Sequence, residues 1–172
     1  TYLTESTGIT IDSLTVSVNT VQEDGTPAGT TVDKTQQDIT ATGSGNMVLQ
    51  TSDGFITVNG GDDDAATEGV DESLTGIAAE GNILLQSREI GEATEENVDD
   101  ITLAASVVSS AGHISIVSAD GITQEADGDV QTEAGNKTID VVAADEISMT
   151  DGASTTASGS ANIRYYARSE EH

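Results

Sequence analysis

Carboxylates dominate the reactive groups of this 172-residue chain: it holds 31 acidic and five basic residues, a formal charge of −26. Two acidic runs have the density that cation binding needs. Asp62, Asp63 and Asp64 are followed by Glu68, and Glu95 and Glu96 by Asp99 and Asp100. Clustered carboxylates are hard oxygen donors, and calcium takes six to eight such ligands. Neither run has the spacing of an EF-hand loop, and the Gly-Gly-x-Gly-x-Asp nonapeptide of calcium β-rolls is absent. The expectation at these eight residues is calcium as a stiffener of loops, weighed against a plain solvated acidic face. No other cofactor is expected.

The same acids raise the question of sugar chemistry. A glycosidase needs two carboxylates roughly 5–10 Å apart, and among so many acids some pair meets that by chance. A polysaccharide lyase needs a base beside clustered acids and calcium. The cations are Lys34, Arg88, Lys137, Arg164 and Arg168, and only Arg88 stands at an acidic run. Aromatics make up 2% of the chain, so little is available to stack on a sugar ring. A non-catalytic protein is expected, with no catalytic residue assigned. A carbohydrate-active β-helix enzyme or glycan-binding module is the alternative.

Other chemistries are poorly supplied. His113 and His172 are the only histidines and Cys is absent, so a zinc site lacks ligands. No Gly-rich loop carries the Lys-Ser or Lys-Thr of a phosphate cradle. The negative charge repels nucleic acid and anionic membranes, and no apolar run is long enough to cross a bilayer. The chain opens on Thr1-Tyr2-Leu3 and shows no signal peptide, which suggests an excised or processed fragment.

The elements that position these groups follow from a hidden repeat. His113 to Thr123 superimposes without a gap on Thr138 to Ser148, 25 residues later, with Ile114 over Ile139, Ile116 over Val141 and Ile122 over Ile147. Gly45-Asn46-Met47-Val48-Leu49 recurs as Gly81-Asn82-Ile83-Leu84-Leu85. The first strand of the repeat thus begins near Asn46, Asn82, His113, Thr138 and Asn162, at steps of 36, 31, 25 and 24. The short steps are bare rungs and the long ones carry insertions. Within the strand, apolar and polar residues alternate, as in Ile114-Ser115-Ile116, the mark of a half-buried strand. Three such strands fill a bare rung: 114–117, 121–124 and 129–132, with Gly and Asp at the corners.

A unit that returns to the same residue types after each circuit predicts an all-β solenoid: a right-handed, single-stranded parallel β-helix with three short strands per rung and acidic loop insertions. Ile83, Ile114, Ile139 and Ile163 should form one inner ladder. Leu49, Leu85, Ile116, Val141 and Tyr165 should form the next. Such layers fill a narrow core without aromatics. Residues 1–44 are read as one or two N-terminal rungs with a long loop. The basis is the alternation of Ile9, Ile11, Leu14, Val16 and Val18, then a loop at 23–29, then Ile39. Residues 45–168 are the main rungs, with insertions near 59–73 and 88–99, and 169–172 are a tail. The stripe Asn46, Asn82, His113, Thr138 and Asn162 is a candidate hydrogen-bonded ladder at a corner. An ice-binding face needs outward Thr ladders, but strand one presents Ser115, Asp140 and Arg164 there.

The motif Gly-Asn-hydrophobic-x-hydrophobic, followed by Ala119-Asp120-Gly121-Ile122-Thr123, resembles the β-helical stalks of large bacterial exoproteins, the haemagglutinin-like and two-partner-secretion adhesins. The resemblance covers roughly 45–167 and marks architecture rather than activity. It implies an exported, extracellular or cell-surface segment that is structural or adhesive. Its partners would be a host, neighbouring-cell or matrix surface, through glycan or protein. A calcium-stiffened spacer and an ice-binding face are further alternatives. Open solenoid ends expose unpaired strand edges, so flanking rungs of the parent protein or end-to-end self-association are also expected. Neither nucleic acid nor membrane insertion is.

Overall fold

The computed structural model describes residues 1–12, 17–32, 38–60, 75–90 and 99–168. Among them there are strands, turns and loops but no helix. Sixteen strands form three parallel sheets, one strand of each sheet per rung, and the chain is a parallel β-helix.

Sheet one stacks β1 (Tyr2–Glu5), β6 (Met47–Thr51), β9 (Ile83–Gln86), β12 (Ile114–Ser118), β15 (Ile139–Ala143) and β18 (Ile163–Ala167). Sheet two stacks β2 (Ile9–Ile11), β7 (Ile56–Val58), β10 (Ile101–Leu103), β13 (Ile122–Gln124) and β16 (Ile147–Met149). Sheet three stacks β5 (Ile39–Ala41), β8 (Thr75–Ala79), β11 (Ser106–Ser109), β14 (Val130–Thr132) and β17 (Thr155–Ala157). The result is five full rungs and the first strand of a sixth.

Both anticipated inner ladders are present in register. Ile83, Ile114, Ile139 and Ile163 lie on one another. Leu49, Leu85, Ile116, Val141 and Tyr165 do likewise. Met47 and Leu3 extend these files toward the start of the chain. The interior is aliphatic throughout the middle rungs, where these residues are fully or almost fully buried.

Sharp corners leave carbonyls inside, and small hydroxyls answer them. Thr51, Ser87 and Ser118 occupy one inner file at the end of sheet one. Thr51 Oγ1 donates to the Gly54 carbonyl at 2.5 Å, and the hydroxyls of Ser87 and Ser118 both donate to the Asp99 carbonyl. Ser109 does the same for Gly81 at the next corner, at 2.7 Å, and accepts from the Gly112 N–H. These groups are buried but satisfied, which removes the penalty of a bare polar atom.

Two glycines are set by the backbone. Gly54 has φ +146°, and a Cβ there would fall 1.1 Å from the Thr7 carbonyl oxygen. A Cβ on Gly112 would lie 2.2 Å from the Gly81 backbone. Stacking Gly112 on Gly81 therefore admits no side chain.

The first 44 residues differ from their expected organisation. They supply one rung, β1, β2 and β5. Between β2 and β5 stands an antiparallel hairpin, β3 (Ser17–Val21) with β4 (Pro27–Val32). Ile9 and Ile11 belong to β2, whereas Val18 belongs to the hairpin. Leu14 and Val16 lie outside the described residues. The expected loop at 23–29 is shorter, since Pro27 already pairs with Val21. Alternation alone does not distinguish a hairpin arm from a rung strand. The hairpin falls between sheets two and three, and on the adjacent rung the expected insertion near 59–73 falls between the same two sheets, most of it outside the described residues. The 87–100 insertion leaves between sheets one and two.

The inner and outer faces of one strand make different demands. Leu85→Ala should cost about 2–5 kcal/mol, because the ladder leaves a cavity between Leu49 and Ile116. The adjoining, outward Leu84→Ala should change stability by about 0.5 kcal/mol or less. Urea unfolding followed by circular dichroism measures both.

Candidate functional site

Of the eight anticipated calcium ligands, only Asp99 and Asp100 fall among the described residues. Asp62, Asp63, Asp64, Glu68, Glu95 and Glu96 lie outside the described residues. Asp99 and Asp100 end the second insertion, just before β10. Among the described residues no three acidic or histidine side chains are grouped so as to hold a metal ion.

Asp99 and Asp100 belong to an acidic corner. Counting back two residues from the aligned Ile56, Ile101, Ile122 and Ile147 places Gly54, Asp99, Asp120 and Asp145 at equivalent positions in successive rungs. Asp99 is only 7% exposed, and its Oδ1 has no hydrogen-bond partner. Burial pushes its carboxyl above the usual aspartate range, and the neighbouring Asp53, Asp120 and Asp100 push it further, against one bond from the Gly54 N–H. Asp100 is raised too, first by burial and then by Asp120 and Asp145. Its Oδ1 accepts from the Gly121 N–H at 2.8 Å, a bond that works the other way.

A second constellation lies where sheet three turns into sheet one. Asn46 Oδ1 accepts the Asn82 N–H at 2.8 Å, and Asn82 Oδ1 accepts the His113 N–H at 2.8 Å. His113 Nδ1 accepts the Thr138 N–H at 3.0 Å and lies 2.9 Å from Thr138 Oγ1. Each side chain thus answers the backbone of the following rung. This explains the Gly-Asn pair: glycine lets the rungs close up, and asparagine satisfies the amide that closure presents. Accepting a backbone N–H requires an unprotonated Nδ1, so the neutral ring carries its proton on Nε2.

Beside this ladder runs an open groove of about 360 Å³, lined by Asn46, Met47, Val48, Asn82, Ile83, Leu84, His113 and Ser115. Val48 and Leu84 are outward apolar residues of strand one, as are Val117, Val142 and Tyr166 in the next file. That next outward file is polar at its start, where Gln50 Nε2 donates to Gln86 Oε1 at 2.5 Å; Tyr2, stacked on Val48, donates its OH across to Gln50. Arg88, the one base at an acidic run, donates to the same Gln86 oxygen at 2.9 and 3.1 Å. Arg164 is held bidentate by Asp140 at 2.7 Å.

Sheet two carries a file that inspection of strand one does not reveal. Thr10, Thr57, Thr102, Thr123 and Ser148 are in register on its outer face. The signal lay in the repeated Ile-Thr of Ile9-Thr10, Ile56-Thr57, Ile101-Thr102 and Ile122-Thr123, at intervals made irregular by the insertions. The file is one residue wide, and Asp100, Glu125 and Glu146 stand two residues from its members along the strands.

No protein-family model, curated protein or solved structure matches this chain.

Two tests follow from this geometry. A raised folded-state pKa means that the native state binds protons more readily, so stability should rise as pH falls through the folded pKa of Asp99 and Asp100. The gain should end near the unfolded value of about 3.9. Asp99→Asn should raise the melting temperature at pH 7 and flatten its increase toward pH 5, as followed by circular dichroism. His113→Ala should cost about 1 kcal/mol by orphaning the Thr138 N–H. His113→Asn should recover most of that in denaturant unfolding, because it restores the acceptor of the two preceding rungs.

Proposed function

We propose that this protein is a rigid, non-catalytic segment of a large secreted or cell-surface protein, structural or adhesive in role, of the kind found in haemagglutinin-like and two-partner-secretion adhesin stalks. The observation that carries the reading is the continuity of register. Ile56, Ile101 and Ile122 remain aligned although the second insertion separates the strands of its rung. Insertions at corners leave the ladders intact, so loops can vary while the rod persists. The absence of cysteine is compatible with an exported solenoid held by stacking alone, and the acidic surface favours solubility.

The mode of action is mechanical. The rod holds corner loops and outer faces at fixed separations, and presents them to glycans or proteins of a host, neighbouring cell or matrix. Flanking rungs would extend it.

Location is the direct test. Antibodies against this chain should label intact cells of the source, and brief external protease treatment should remove the label without lysis. Detection of the chain solely in the soluble contents of lysed cells would overturn the proposal.

A further inference from the structure

We infer that the groove along Asn46, Asn82 and His113 is a binding site for a neutral, linear glycan lying parallel to the solenoid axis. The ladder itself supplies the recognition. The oxygens of Asn46 and Asn82 and the Nδ1 of His113 are taken by the N–H groups of the following rungs. What remains on each side chain is a donor: the Nδ2 amides of the two asparagines and the Nε2–H of His113. All three residues are exposed and line the groove. None of these donors has an acceptor among the described residues.

Spacing selects the ligand. Donors on successive rungs recur at about 4.8 Å, the separation of paired strands. A linear pyranose chain advances by about one such step per sugar, so consecutive residues would present oxygens to consecutive donors. An extended peptide repeats its same-side carbonyls about every 6.7 Å and falls out of step after one contact. Val48 and Leu84 form an apolar floor for the C–H face of a ring, and Ser115 adds a hydroxyl at the far end. The volume suits a short oligosaccharide stretch. The ligand must be neutral, since a −26 protein repels uronates and sialylated chains. This site adds a ligand to the proposed rod, and its test is independent of where the protein resides.

The experiment is a titration of the whole ¹⁵N-labelled chain with cellotetraose, chitotetraose and mannotetraose, followed by heteronuclear NMR. Tetragalacturonate and a (Ser-Thr)₅ peptide serve as comparisons. The expected result is saturable movement of the Asn46 and Asn82 side-chain amides and the Leu84 and Ser115 backbone signals with at least one neutral tetraose. Leu84→Asp, an outward substitution, should weaken that binding about tenfold or more while leaving distant signals in place. Silence at these residues with all three neutral tetraoses would overturn the site. Equal or stronger movement with tetragalacturonate or the peptide would overturn the ligand class.

Discussion

Parallel pairing in register is the constraint on which the structure rests. Every rung lies directly on the previous one, so each residue inherits as its neighbour the residue one circuit earlier. Inside, this demands like on like: isoleucine over isoleucine along Ile83, Ile114 and Ile139. At the corners it demands a partner for each N–H and carbonyl that closure brings inward. Asn46, Asn82 and His113 meet that demand from outside, and Thr51, Ser87, Ser109 and Ser118 from within. Because small aliphatic layers meet the packing requirement, the chain needs almost no aromatic residues.

What the constraint leaves free is the outer surface, and sheets one and two use that freedom differently. Sheet one bears an apolar and amide-rich groove, and sheet two a file of hydroxyls. The corner between them is acidic. In the Asp99 corner, stacking works against stability. Carboxylates at successive rungs cannot move apart, and one of them is buried with an oxygen unmet. That arrangement is retained at a cost to the fold, whereas the amide ladder at the other end of sheet one supports it.

The residues visible in the sequence were those that the repeat forces to recur. The two bare rungs share a 25-residue offset, and from them both inner ladders could be drawn correctly, Tyr165 included. Strand β1 escaped because, of its four residues paired with β6, only Leu3 over Leu49 repeats a residue type. The threonine file escaped because insertions of unequal length lie between its members, so no constant offset connects them. The hairpin was hidden by a real ambiguity, since one period-two pattern serves parallel and antiparallel strands alike. The groove was half legible: Val48 and Leu84 are apolar where the alternation of strand one sets polar residues outward. That the amides beside them have donors to spare depends on hydrogen bonds between rungs. The acidic runs carry charge but no repeat.

The outermost described rungs leave inner-file residues open on both sides: Leu3 is 43% exposed, and Ile163 and Tyr165 are 41% and 37%. Every bond between rungs, backbone and side chain alike, points along the axis, while the strands run across it. A pull along the axis therefore loads one rung's bonds at a time in tension, rather than many strands together in shear. Each bare rung of 25 residues would release roughly 85 Å of chain before the force reached the next. A rod built this way is stiff when compressed or bent, and when pulled it becomes a graded tether that lengthens in steps of one circuit.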